Sequence, residues 1–251
     1  MTEGPTARLR SIQIKKRYLN SRIVDIWAKS KRVYVDLEKL IGRRLVDSTT
    51  YGKNILMDLR PYGIRIHLMM YGSIRFEEDP SKPKSRLRLR LDFDKGGFFV
   101  YNAPIVEIDL MDRIEERLSR ELGFDPFREW NEDELIDILI GNGDRIVGEI
   151  LLDQSIFAGI GNILRNEILF RAGIRPDRKI SSIPLNDLRN LVRITRELSF
   201  EFLENKVRGK GIRDLLMVYN AKVCKKCGGK IVFYRDKITG RKTFYCPNCQ
   251  V

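Results

Sequence analysis

Four cysteines, all in the last 28 residues, form the most specific chemical constellation in this 251-residue chain: CKKCGGKIVFYRDKITGRKTFYCPNC. Cys224 and Cys227 make one C-x-x-C knuckle and Cys246 and Cys249 the other, with eighteen residues between them. Two close pairs of soft ligands suit a tetrahedral zinc ion, and four protein ligands close the site, so the ion would be structural. Two disulfides could use the same residues, but a chain that reads as intracellular, with no other cysteine, favours metal. Between the knuckles, KIVFY and KTFYC read as two strands joined by a turn through RDKITGR. A hairpin this small cannot bury a core and would owe its fold to the metal. Residues 222–251 carry eight Lys or Arg against one acid, Asp236. The hairpin is then either a rigid holder of positive charge, with Arg241 at its turn, or a solvated basic turn.

The opposite end poses a different question. The chain opens MTEGPTARL, and removal of the initiator methionine would leave a small hydroxyl residue, Thr2, followed by an acid, a glycine and a proline. An N-terminus of this kind is either a frayed end or a working one. A third candidate lies in LLDQSIFAGIGNILRNEILFRAGIRPDR, between two helical stretches. There Gly159 and Gly161 allow close backbone approach and Asn162 opens the next helix. A helix start with glycine-exposed amides can seat a phosphate, or it can be a tight turn that holds nothing.

Charge narrows the class. Lys and Arg number 47 against 34 Asp and Glu, a net of +13, yet residues 107–137 hold twelve acids and four arginines. The remainder therefore carries +21. Segregation of this kind suits a polyanion such as nucleic acid; a heavily charged thermophile surface is the plainer explanation. No apolar run approaches the roughly eighteen residues of a membrane span, and the start is too charged for a secretory signal. The expected setting is intracellular, with no membrane partner.

The elements that must position these groups divide into two kinds. A helix is expected over Pro5–Tyr18, followed by strands at KNILMDL, IRIHLMM, IRF, RLRLRLDF and GFFVYN. In RLRLRLDF, Leu87, Leu89, Leu91 and Phe93 face one way and Arg86, Arg88 and Arg90 the other, giving a core face and a cationic stripe. Such spacing predicts an antiparallel sandwich or barrel. From about Met111 the period becomes helical. Asn131 and Glu134 form a capping-box pattern, Pro184 starts a helix, and Leu185, Leu188, Leu191, Val192, Leu198 and Phe202 share a stripe. The acidic stretch ELGFDPFREW reads as the connection between the halves.

Together these residues resemble the formamidopyrimidine-DNA glycosylase and endonuclease VIII family of base-excision repair enzymes, on the endonuclease VIII side. LLDQSIFAGIGNILRNEILFRAGIRPDR is similar to its helix–two-turn–helix motif, GRKTFYC to its zinc finger, YGKNILMDL…IRIHLMMYGSIRF to its catalytic strands, and EGP to its N-terminal signature. The resemblance implies an α+β multidomain protein: an N-terminal catalytic β-sandwich with a flanking helix over 1–115, a helical DNA-binding domain over 116–221, and a zinc β-hairpin over 222–251. It implies damaged DNA as partner, one zinc ion, no small-molecule cofactor and a monomer. The N-terminal amine becomes the nucleophile, on Thr2, with Glu3 moving protons and Lys53 balancing charge at the lesion. Met69, Met70 and Tyr71 would enter the vacated space, although strand-end core packing is the alternative for that triplet. Asn162, Arg241 and the Gly159–Gly161 turn would hold the DNA backbone.

Two departures stand out: the family usually has proline where Thr2 stands, and a second glutamate where Thr6 stands. Thr2 would supply a primary amine, whose ordinary pKa of about 7.7–8 leaves a neutral fraction at physiological pH. The implied activity is glycosylase and abasic-site lyase; EGP and the Met69–Met70–Tyr71 triplet lean to the endonuclease VIII side, whose usual targets are oxidised pyrimidines, and ENKVRGKGIRDLLMVYN leaves little room for a capping loop that would favour oxidised purines. The alternatives are a catalytically weak or inactive homologue that binds damaged or abasic DNA, a zinc-ribbon adaptor, and an N-terminal threonine hydrolase. His67, the single histidine, alternates with Arg65 and Met69 on the side away from Ile64, Ile66 and Leu68 and is assigned a structural or DNA-side hydrogen bond rather than a catalytic role.

Overall fold

The computed structural model describes residues 2–251, which form two compact units, the first ending at Glu121 and the second running from Leu122 to Val251. The first begins with helix α1, Gly4–Tyr18. Pro5 sits in its first turn, where a missing N–H removes no helical hydrogen bond, and Lys15, Lys16 and Arg17 sit at the end that favours cations. Ala7, Ile14 and Tyr18 enter the core. Tyr18 stacks on Phe93 at 4.5 Å and donates its hydroxyl to the Gly97 carbonyl. The start of the chain is therefore anchored by a whole buried helix face.

Nine strands follow: β1 Ile23–Ala28, β2 Arg32–Val33, β3 Asp47–Tyr51, β4 Asn54–Leu59, β5 Tyr62–His67, β6 Ser73–Arg75, β7 Leu87–Phe93, β8 Gly96–Tyr101 and β9 Ile105–Leu110. They build a four-stranded sheet, β1-β7-β8-β6, and a five-stranded one, β2-β9-β5-β4-β3. Neighbours are antiparallel except β2 and β9. Leu89, Leu91 and Phe93 of β7 are buried, as their alternation predicts, and meet Ile55, Met57, Ile64 and Ile66 in one core. The other face of β5 is also covered. Arg65 is only 7% exposed and reaches Asn54 at 2.9 Å and Glu107 at 3.2 Å, while Arg117 bridges Glu107 and Asp109. Arg117 belongs to α2, Met111–Glu121, which closes the unit.

One strand is shorter than the sequence suggests. IRIHLMM reads as continuous, but β5 ends at His67 and the chain turns at Leu68–Gly72, where the Gly72 N–H donates to the Leu68 carbonyl at 2.8 Å. A Cβ on Gly72 would come within 2.5 Å of that carbonyl oxygen, so the turn requires glycine. Met69 adopts φ +47°, a conformation side chains rarely take.

The second unit contains α3 Glu132–Gly141, α4 Val147–Ile150, α5 Asn162–Ala172 and α6 Leu185–Val207, then the paired strands β10 Val232–Arg235 and β11 Lys242–Tyr245. Asn131 caps α3 by accepting from the Glu134 N–H at 3.2 Å, and Pro184 precedes α6. Gly173, at φ +72°, terminates α5. Leu135, Leu139, Leu164, Ile168, Leu191 and Phe202 meet in its core. A smaller cluster joins Phe170 of α5 and Val218 to Cys224, Ile231, Phe244 and Cys246. The hairpin thus shares its core with the helical layer.

Candidate active site and nucleic-acid interface

The turn after β5 is where the N-terminus arrives. The Thr2 nitrogen donates to the Met69 carbonyl at 3.1 Å, and the Met69 N–H donates to Nδ1 of His67 at 3.2 Å. One residue in a left-handed conformation is thus held from both sides, by the chain start and by the end of β5. Glu3 is 3% exposed, and its carbonyl begins α1 by accepting from Thr6 and Ala7. A carboxylate at this end of a helix is favoured by the helix dipole. His67 is pushed down to about 4, first by burial and then by the charges of Lys53 and Arg65. Its ring is therefore neutral at physiological pH, with Nδ1 an acceptor. Of the cluster's residues, it is on the ring of His67 that the Lys53 charge acts. The structural hydrogen bond assigned to His67 from its alternation with Arg65 and Met69 is thus present, with the Met69 N–H as its partner.

Met69, Met70 and Tyr71 are 45%, 53% and 78% exposed, which excludes core packing for the triplet. Two flexible thioethers and one ring stand on a tight turn beside the Thr2 nitrogen, a geometry suited to entering a base stack.

A second group assembles in the other unit. Gly159 has φ +93°, its N–H donates to Oε1 of Gln154 at 3.1 Å, and Nε2 of Gln154 donates to the Ile160 carbonyl at 2.9 Å. Gly161 is the N-cap of α5 in an extended conformation that any residue can adopt, not a left-handed turn. Asn162 is 3% exposed, and its amide donates to the Lys242 carbonyl at 2.9 Å. Arg165 and Asn166 donate to the same oxygen at 3.2 and 3.4 Å, and Arg165 also reaches Thr243 at 2.6 Å. Asn166 accepts from the Phe244 N–H at 2.7 Å. The start of α5 is thereby clasped to β11, and exposed Arg241 is the residue immediately before that strand. One turn further along α5, buried Glu167 accepts the N–H groups of Met217, Val218 and Tyr219 at 2.8, 3.0 and 2.9 Å.

The four cysteine sulfurs lie within 4.8 Å of one another, with Cys224–Cys249 at 3.9 Å and Cys227–Cys246 at 3.5 Å. A tetrahedral ion with metal–sulfur bonds of about 2.3 Å needs sulfurs about 3.8 Å apart, so the cluster fits one. The Gly229 N–H also donates to the Cys227 sulfur at 3.4 Å, the kind of hydrogen bond that stabilises a metal-bound thiolate.

Family models match both units: the formamidopyrimidine-DNA glycosylase N-terminal domain over residues 1–104 and the formamidopyrimidine-DNA glycosylase H2TH domain over residues 122–213. The chain belongs to the formamidopyrimidine-DNA glycosylase family. The formamidopyrimidine-DNA glycosylase of Prochlorococcus marinus is 32% identical over 206 residues, 74% of this chain and 69% of that protein. Endonuclease 8-like 3 of Mus musculus is 31% identical over 211 residues, 80% of this chain but only 34% of its own length. Lactococcus lactis Fpg, solved in a complex with abasic-site-containing DNA, shares the fold with a TM-score of 0.87 at 21% identity, over 99% of each chain. The resemblance read from separated motifs thus holds for the family as a whole.

In this member of the glycosylase family the residues that sequence reading missed are those that hold others. Gln154, Arg165, Asn166 and Glu167 touch the DNA-grip candidates or brace the ribbon, and all but Gln154 are essentially inaccessible to solvent. The signal was available in NILRNEIL, where three consecutive polar residues interrupt a helix too apolar on its other faces to be a surface helix.

Proposed function

We propose that this chain is a bifunctional DNA glycosylase and abasic-site lyase of base-excision repair, acting as a monomer inside the cell on damaged DNA, with oxidised pyrimidines favoured. The observation that carries the reading is the Thr2 nitrogen fixed by the Met69 carbonyl beside buried Glu3. With Met1 removed, that nitrogen is a primary amine whose lone pair stays available while one N–H is donated.

Met69, Met70 and Tyr71 occupy the gap left as the damaged nucleotide leaves the stack, which costs a few kcal/mol. Arg241 and the Gly159–Gly161 turn hold the backbone, while the buried amide of Asn162, expected to grip DNA directly, instead fixes the hairpin that carries Arg241; Lys and Arg contacts supply most of the affinity. The amine attacks the deoxyribose C1′, the C1′–base bond breaks, and the base leaves with that electron pair and a proton. Opening of the sugar ring, with O4′ taking a proton, completes the imine. Glu3 carries these protons, work suited to a poised carboxylate, and Lys53 offsets the adjacent phosphate. Loss of a C2′ proton then breaks the C3′–O bond, and a second elimination breaks the C5′–O bond, leaving phosphate ends. Zinc in the four-cysteine site supplies fold rather than chemistry. Support for pyrimidine preference is the short segment, 208–223, between α6 and the first knuckle, which leaves little chain for a capping loop.

Thr6, in place of a second carboxylate, favours the competing reading of a slow or inactive homologue that binds abasic DNA. Borohydride trapping on DNA with one abasic site separates the two, using protein whose N-terminus has been verified by mass. An adduct mapped to Thr2 is the expected result. Tight binding without an adduct supports the binder, and an adduct on Lys53 overturns the assignment of roles.

A further inference from the structure

The cationic stripe of β7 has no part in the chemistry above. Arg86 and Arg88 line a cavity of about 1170 Å³ on the first unit, together with Lys29, Lys31, Arg32 and Tyr71. No carboxylate lines it, and none of these five cations has an ion-pair partner among the described residues. Arg90, the next outward residue of β7, behaves differently: Asp25 and Asp92 both neutralise it. The cations gather because β1 and β7 are neighbours, the Lys29 N–H donating to the Arg88 carbonyl at 2.8 Å. Five unneutralised charges around one concavity repel one another, an arrangement that an anionic ligand relieves.

Shape and aromatic placement select the ligand. The volume exceeds the roughly 300–1,000 Å³ of small-molecule sites, and the lining is cationic rather than apolar. Tyr71, 78% exposed, stands at the wall shared with the Met69–Tyr71 turn, and Trp27, 40% exposed, is paired with Arg90 on the same outward face. A duplex presents phosphates on a convex surface with its bases hidden. A single strand can follow a concave wall and stack its bases on exposed rings. We propose that this trough is a subsite for single-stranded DNA, receiving unpaired strand that runs on from the Met69–Tyr71 turn. The proposal stands whether or not Thr2 is the nucleophile, because it concerns binding of lesion-free strand.

The test is fluorescence anisotropy with a labelled oligo-dT of about twelve nucleotides, alone and as a duplex with its complement, over a salt series. The proteins compared are the wild type, Arg86→Gln/Arg88→Gln and Lys29→Gln/Lys31→Gln, each checked for a native thermal transition. Each double variant is expected to bind the single strand roughly tenfold more weakly, with a salt slope lower by about 1.4. Duplex binding and cleavage of an abasic duplex at saturating enzyme stay at wild-type level. Unchanged single-strand affinity and slope overturn the proposal. An equal loss on strand and duplex overturns it too, since the trough would then be an ordinary duplex contact. Two pairs are used so that misfolding of one leaves the other to decide.

Discussion

Replacing His67 with phenylalanine keeps a flat ring but removes the acceptor for the Met69 N–H. That hydrogen bond, at 3.2 Å, is one of those holding Met69 at φ +47°. A non-glycine residue in such a conformation stores about 1–3 kcal/mol, and a neutral hydrogen bond offsets about 1 kcal/mol of it. Losing that amount lowers the population of the correctly turned carbonyl about fivefold, and the Thr2 nitrogen loses its aim to the same degree. Further displacement of the nucleophile raises the penalty, since an error of about 1 Å can cost 10²-fold. The expected result is a rate about five- to tenfold lower in single-turnover cleavage of an abasic duplex, with enzyme in excess. His67→Asn, whose carbonyl can stand where Nδ1 stood, is expected within about twofold of wild type. Equal losses in the two variants, or no loss in His67→Phe, refute the positioning argument. Wild type and the variants also differ in how stability depends on pH. The ring titrates near 6.5 unfolded and about 4 folded, so the unfolded chain takes up the proton first. Wild-type stability therefore falls as pH drops through that window, by up to ~3 kcal/mol. The Asn variant lacks this slope.

Three other perturbations test separate links. Thr2→Pro gives an iminium that cannot lose its charge, whereas the wild-type imine must be protonated to draw electrons; lyase activity of the wild type is expected to fall more steeply above neutral pH, and coincident profiles reject the idea. Stripping metal with a chelator under reducing conditions is expected to lower the melting temperature of the second unit and weaken abasic-DNA binding, because the Lys242 carbonyl loses its place; retention of both would mean the hairpin folds on its shared core alone. Glu167→Gln, by misplacing a buried acceptor of three backbone N–H groups, is expected to cost roughly 2–4 kcal/mol in urea unfolding of that unit, and a loss below 1 kcal/mol would show that the loop relaxes around it.

Much of the site was readable from sequence because its motifs are local. The paired C-x-x-C knuckles, the glycine turn at 159–161 and the start of the chain each announce themselves within a few residues. The alternation in β7 is as plain, since one face is core and the other charged. What escaped was non-local or lacked contrast. β3, DSTTY, is a strand made largely of small polar residues, and β9, IVEIDL, carries two acids that are buried because Arg65 and Arg117 reach them from other elements. The end of β5 was misplaced because Leu68, Met69 and Met70 extend an apolar run, whereas Gly72 imposes a turn that periodicity cannot see. For His67 the alternation yields a structural hydrogen bond, as found, but not the partner. Its partner is a main-chain N–H two residues on, available only once that turn exists.

The clasp between α5 and the hairpin addresses a backbone carbonyl, not a side chain. Three donors, Asn162, Arg165 and Asn166, converge on the oxygen of Lys242, while the lysine itself contributes nothing to the contact beyond its main chain. Mutational freedom is therefore unequal across the joint. Position 242 can drift through most residue types without loosening it, whereas each of the three helix positions has almost no acceptable substitute. The hairpin surface can change while its placement is kept, because the information that fixes its position is held in the helix.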